Sequence, residues 1–125
     1  MCGFAGFFSK VDLPLNSADV LKSMGEAIKT RGPDSSGEWV DKDSRVGFSH
    51  RRLSIVDLTT AGHQPMFSCS KRFIIAFNGE IYNHLELRKE LEVKDNVSWA
   101  GLSDTETLLA GFEFWGVRAT IEKTV

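Results

Sequence analysis

No apolar stretch in this 125-residue chain approaches the ~20 residues that a membrane-spanning helix requires. A secretory signal is also missing from its start. The first apolar run stops at Phe8, no basic residues precede it, and Lys10 and Asp12 follow at once. Lipid attachment at Cys2 would need a signal segment upstream, and none is read. The two cysteines, Cys2 and Cys69, form no CxxC pair, and the expected address is the reducing cytoplasm. Charge of one sign is lacking too. The formal net charge is only -2, and Lys and Arg are scattered, which excludes the basic footprint of a nucleic-acid binder. His50, His63 and His84 show neither HxxxH nor HxH spacing, so no metal site is expected. GxGxxG and GxxxxGK[ST] loops are absent, as is a Ser-centred nucleophile elbow.

What remains is ordinary globular composition, 42% hydrophobic and 26% charged, of a length suited to one domain with a real core. Cys2 to Phe8 reads as a strand buried on both faces. Pro14 and Asn16 mark a loop, after which Ser17 caps a helix over roughly residues 18 to 30, stopped by Gly32-Pro33. GEWV and RVGFSH flank the polar turn Asp41 to Ser44 as a hairpin would. The turn-rich TTAGHQPM then leads into a strongly β run, RFIIAFNGEIY. Asn83 is expected to begin a helix with Glu86 as capping-box partner, and the mixed charges from Glu86 to Glu92 suit its solvated face. Ser98 to Ala100 fits a short strand, and Ser103 opens a last helix with Glu106 at its third position. GVRATIEKTV ends the chain without a turn or strand to close a sheet. The pattern is mixed α+β, one domain, without repeats or linkers.

Four segments carry potential chemistry, and each has a plain structural explanation. Cys2 alone is better read as a buried structural thiol. Removal of Met1 would give the same residue a thiol and a free α-amine of pKa ~7.7–8.0, close enough to neutrality to act as a base. Asn78-Gly79 is a strand-ending turn by default, yet a side-chain amide and a Gly N–H facing one point make an oxyanion hole. Ser103 and Glu106 are explained as a capping box and Asp104 is mildly favoured by the helix dipole, which leaves it free to bind an ammonium. HRRL holds two guanidinium groups beside the apolar SIV; an exposed arginine pair is commonplace, and one Arg forking onto a carboxylate is the alternative. TRGPD reads locally as a helix stop and turn.

In this order, MCGFAGFF, TRGPDSSGEW, GFSHRRLSIVDL, GHQPM, FNGEIYNHLELR and SDTETLL resemble one family across residues 1 to 109. It is the glutaminase domain of glutamine-hydrolysing asparagine synthetases, class II glutamine amidotransferases among the N-terminal nucleophile hydrolases. The resemblance implies a four-layer αββα sandwich, here incomplete, with residues 1–125 forming a glutaminase domain truncated at its C-terminal end. It implies Cys2 as nucleophile once Met1 is removed, and Asn78 and Gly79 as oxyanion hole. Arg52 would hold the glutamine carboxylate and Asp104 its ammonium. Leu53, Ser54, Ile55, Val56 and Glu80 would line the pocket, with Arg31 supporting it. No cofactor is expected in this segment; ATP and Mg²⁺ belong to a synthetase domain beyond it, which is the expected partner besides glutamine, with a homodimer left open. Two alternatives stand beside this expectation: an acceptor other than aspartate, such as a sugar, and a glutamine-binding module without catalysis.

Overall fold

The computed structural model describes residues 2–55, 57–95 and 97–125 of the chain. The chain divides into two compact units, Met1–Ser54 with His63–Pro65 and Ala76–Asn78, and Ile55–Gly62 with Met66–Ile75 and Gly79–Val125. Both mix helix and strand, in agreement with the α+β expectation.

The first unit is a three-stranded antiparallel sheet with one helix. β1 (Gly3–Phe8), β2 (Ser35–Asp41) and β3 (Val46–Arg52) stand in the order β1-β3-β2. The register runs from Gly3 opposite Arg51 to Phe8 opposite Val46, and from Ser35 opposite Arg52 to Asp41 opposite Val46. The hairpin between β2 and β3 is closed by its own sequence: Asp41 Oδ1 accepts the amide hydrogens of Asp43 and Ser44 at 3.0 and 3.1 Å. α1 (Ser17–Ala27) lies on one face, with Leu21 fully buried. A Cβ at Gly47 would come within 2.7 Å of Leu21 Cδ1 and 2.9 Å of Phe7 Cζ, so the helix seats directly on the central strand.

Alternation along β3 decides what each face carries. Gly47, Ser49 and Arg51 turn toward α1. Phe48, His50 and Arg52 turn the other way, where Trp39 stacks on Phe48 at 5.7 Å. This arrangement corrects the reading of β1 as buried on both faces. It is an edge strand, and Phe4 and Phe8 on its second face are 53% and 75% exposed. Ser17 is likewise not a cap. Asn16 holds the cap position without a side-chain hydrogen bond, and Ser17 is the buried first residue of the helix, its amide hydrogen donated to the Pro14 carbonyl. α1 ends at Ala27, and a 3₁₀ turn, Lys29–Arg31, completes the expected helical stretch.

The second unit packs α2 (His84–Asp95), α3 (Asp104–Phe114) and α4 (Val117–Lys123) beside a two-stranded ribbon, β4 (Met66–Phe67) and β5 (Ile74–Ile75). Leu87 and Leu91 from α2 and Leu108 and Leu109 from α3 form its core. Thr120, fully buried on α4, fits where Gly111 on α3 lacks a side chain, and Phe112 meets Phe73 edge-on at 5.9 Å.

Several sequence expectations change here. The β run over residues 72–82 yields only Ile74–Ile75 as strand. Its later backbone is taken by side chains: Phe77 donates its amide hydrogen to Gln64 Oε1 at 2.6 Å, and its carbonyl lies 3.2 Å from His50 Nε2. α2 starts at His84, and Asn83 does not form a capping box with Glu86. Its amide group donates to the Lys123 carbonyl at 2.8 Å and accepts from Val125 N–H at 3.1 Å instead. Residues 98–100 form no strand, and residues 117–123 of the unassigned terminal segment are helical. Ser103 does cap α3, accepting from Thr105 N–H at 3.2 Å. Glu106 reaches past it, taking the amide hydrogens of Ala100 and Gly101 at 2.7 and 3.0 Å.

Candidate active site

In the first unit, Cys2 immediately precedes β1. Its sulfur lies 3.3 Å from Leu53 N and 3.5 Å from Leu53 O, just past the end of β3. The same residue therefore offers a donor to a thiolate and an acceptor to a thiol. Its carbonyl accepts from Arg31 Nε at 3.3 Å, and the aliphatic part of Arg31 covers Gly3, with Cδ 3.1 Å from where a Cβ would stand. Arg31 thus holds the head of β1 from the α1 side.

The two arginines of HRRL separate by alternation. Arg51 is buried under α1, donating through Nε to the Gly25 carbonyl at 3.1 Å and through Nη2 to Glu26. That ion pair holds the Glu26 carboxyl below its usual range, the Arg51 hydrogen bond being the main cause. Arg51 is structural. Arg52 stands on the opposite face of β3, one residue past the Gly3–Arg51 pair that ends the ladder.

Leu53 and Ser54 continue beyond the sheet. Ser54 donates its amide hydrogen to Asp34 Oδ2 at 2.7 Å, and Asp34 N–H returns a bond to the Arg52 carbonyl at 3.0 Å. The close approach needs Gly32, whose absent Cβ would lie 2.7 Å from the Arg52 carbonyl carbon. Asn78 follows Phe77, whose backbone is gripped by His50 and Gln64, both buried. Burial presses the His50 pKa below its ordinary value, keeping the ring neutral.

In the second unit, Gly79 and Glu80 are exposed, and Ile55 is too. Asp104 is buried at the first turn of α3, its Oδ2 accepting Ile81 N–H at 3.0 Å. The residues around it are held by Arg88, a buried residue of α2. Arg88 donates to Thr107 Oγ1 at 2.8 Å, to the Gly101 and Ser103 carbonyls at 2.7 and 2.8 Å, and to Glu106 at 3.3 Å, while stacking over Trp99. This unit also has an open groove with Leu58, Leu85, Trp99 and Leu102 in its wall, lined by none of the residues predicted for the site.

The structure thus brings Cys2, Arg31, Arg52, Leu53, Ser54 and Asn78 into one unit, and Ile55, Gly79, Glu80 and Asp104 into the other. Val56 lies outside the described residues. Sequence reading missed Asp34, His50, Gln64 and Arg88 as the holders of site backbone. Each acts on residues 13 to 27 positions away in the chain, and only the GHQPM and RGPD segments signalled two of them. Among the described residues, no group of three or more His, Cys, Asp or Glu could hold a metal ion, and no helix is long and apolar enough to cross a membrane.

The family described as glutamine amidotransferase domain matches over residues 1–125. Among curated proteins, asparagine synthetase [glutamine-hydrolyzing] 1 of Bacillus subtilis is 44% identical over 117 residues, 92% of this chain and 18% of that protein. Asparagine synthetase [glutamine-hydrolyzing] 2 of the same organism is 38% identical over 94% of this chain and 15% of its own length. A putative asparagine synthetase [glutamine-hydrolyzing] of Mycobacterium tuberculosis is 37% identical over 93% of this chain and 20% of its own. The chain spans about a fifth of the length of the curated relatives it matches.

Proposed function

This chain belongs to the glutamine amidotransferase domain family, and on that premise we propose that it is the glutaminase part of a glutamine-hydrolysing asparagine synthetase. The observation that carries the reading is the setting of Cys2. Its sulfur is held against both the N–H and the C=O of Leu53, at the head of a paired strand. An incidental buried thiol requires neither neighbour.

With Met1 removed, the α-amine takes the thiol proton and the thiolate attacks the side-chain amide carbon of glutamine. A carbon–sulfur bond forms, and the oxyanion rests on the Asn78 amide and the Gly79 N–H. Ammonia leaves with a proton from the α-ammonium, and water then hydrolyses the thioester to glutamate. Arg52 binds the α-carboxylate, Asp104 the α-ammonium, and the main chain of residues 53–56 with Glu80 lines the pocket. A zwitterionic head group matched by one cation and one anion gives strong rejection of analogues lacking either, because a buried charge would be left unpaired. The fold is that of the N-terminal nucleophile hydrolases, with both sheets of the αββα sandwich only partly supplied by these residues. Ammonia passes to an ATP- and Mg²⁺-dependent synthetase region in the longer protein, in the cytoplasm.

The test is Cys2→Ala in the full-length protein, which should abolish glutamine hydrolysis while ammonia-driven synthesis continues. Retained glutaminase activity would exclude the mechanism. Intact mass of the cellular protein should show Met1 removed.

A further inference from the structure

We infer that Asp34 is a positioning residue for the Cys2 sulfur, acting through the Leu53 peptide. This rests on the reading of Cys2 as a nucleophile and adds a residue to it. The polypeptide leaves the sheet after Arg52: β1 pairing reaches only Arg51, and β2 pairing ends at Arg52. Leu53 lies beyond both ladders, yet it is the residue whose N–H and C=O face the Cys2 sulfur at 3.3 and 3.5 Å.

Asp34 bridges that gap from both sides of Leu53. Its N–H donates to the carbonyl of the residue before, Arg52, at 3.0 Å, and its carboxylate accepts the amide hydrogen of the residue after, Ser54, at 2.7 Å. With Arg52 O and Ser54 N both fixed by one residue, the rotation that would turn the Leu53 N–H away from the sulfur is blocked. An N–H donated to sulfur stabilises the thiolate over the thiol, because a charged acceptor makes the stronger bond. Only the Ser54 link depends on the Asp34 side chain, so the arrangement is sensitive to substitution there. An asparagine keeps an acceptor oxygen at the same reach, whereas serine is one bond too short.

The chain carries its own reference thiol. Cys69 is exposed and belongs to the other unit. The experiment measures the rates at which iodoacetamide alkylates Cys2 and Cys69 in the same molecule, by peptide mass spectrometry, in wild type, Asp34→Asn, Asp34→Ala and Asp34→Ser. The Cys2/Cys69 rate ratio should fall about threefold to tenfold in Asp34→Ala and Asp34→Ser, the worth of one net hydrogen bond, and stay within about twofold in Asp34→Asn. Asp34→Ser keeps a polar group at this exposed position, and it serves if the alanine variant does not fold. In glutaminase assays Asp34→Ala and Asp34→Ser should lose kcat and kcat/KM together with KM little changed, and Asp34→Asn should keep both. An unaltered ratio in folded Asp34→Ser, or an equal loss in Asp34→Asn, overturns the proposal. Wild-type protein that alkylates normally but hydrolyses no glutamine would instead defeat the proposed function and leave the positioning role standing.

Discussion

The Asp104 carboxylate accepts the Ile81 amide hydrogen at 3.0 Å. The first residue of α3 therefore holds the backbone just after Gly79 and Glu80, with one oxygen, while the proposed ammonium role draws on its charge. The two duties separate by substitution.

Asparagine at 104 keeps an acceptor for Ile81 and removes the charge. Asp104→Asn should unfold within about 1 kcal/mol of wild type in urea, with KM for glutamine raised about tenfold or more, as expected for a lost charge-assisted bond. An unchanged KM would remove Asp104 from the proposed pocket.

Arg88 satisfies two loop carbonyls and a threonine hydroxyl from a buried position. Arg88→Met should cost about 2–5 kcal/mol, because the Gly101 and Ser103 carbonyls lose their charged donor. Arg88→Lys should recover only part of this, since an ammonium cannot reproduce the guanidinium fork. Equilibrium denaturation followed by Trp99 fluorescence reads both. A loss under about 0.5 kcal/mol, typical of surface substitutions, would contradict the structural role.

His50 supplies a pH dependence. Its pKa is lowered from the ordinary 6.5, mainly by burial and against the raising effect of the Phe77 carbonyl. The unfolded chain therefore binds the proton more readily than the native one. The neutral ring's contribution is full above pH 6.5 and is lost as pH falls from there through the lower native value. Urea midpoints measured from pH 8 down to pH 5 should decline more steeply in wild type than in His50→Gln. Parallel curves would show that His50 is not the group responsible.

Gly116 joins α3 to α4 at φ 85° with open space where a Cβ would be. Gly116→Ala should thus cost only backbone strain, about 1–3 kcal/mol, and Gly116→Asn about as much, because φ 85° with ψ 159° lies outside the left-handed α region that asparagine tolerates. Thermal melting that leaves either variant level with wild type would refute the assignment.

Much of this fold was legible because periodicity and turn chemistry are local. The β2–β3 hairpin follows from strand patterns around Asp41, and α3 from Ser103 and its leucines. Two of the failures share one physical cause, competition from distant partners. The run through Phe77 has the composition of a strand, yet Gln64 and His50 occupy its hydrogen-bonding groups. Asn83 has the right type for a cap, yet Lys123 and Val125 claim its side chain. The candidate site divides in the same way. Cys2, Asn78 and Asp104 could be named from residue type and order, whereas Asp34 became visible only when Ser54 was found beside it.

The alternation that parts Arg51 from Arg52 also bears on how this segment tolerates insertions and deletions. Removing one residue from the exposed hairpin turn would shorten a loop and leave both arginines in place. Removing one within Gly47–His50 would shift the C-terminal half of β3 by half a pleat and exchange the two faces. The guanidinium paired to Glu26 would then leave the α1 face, and that of Arg52 would turn under α1. Length variation is therefore permitted in the turn and forbidden in the strand, although the two sites lie only a few residues apart.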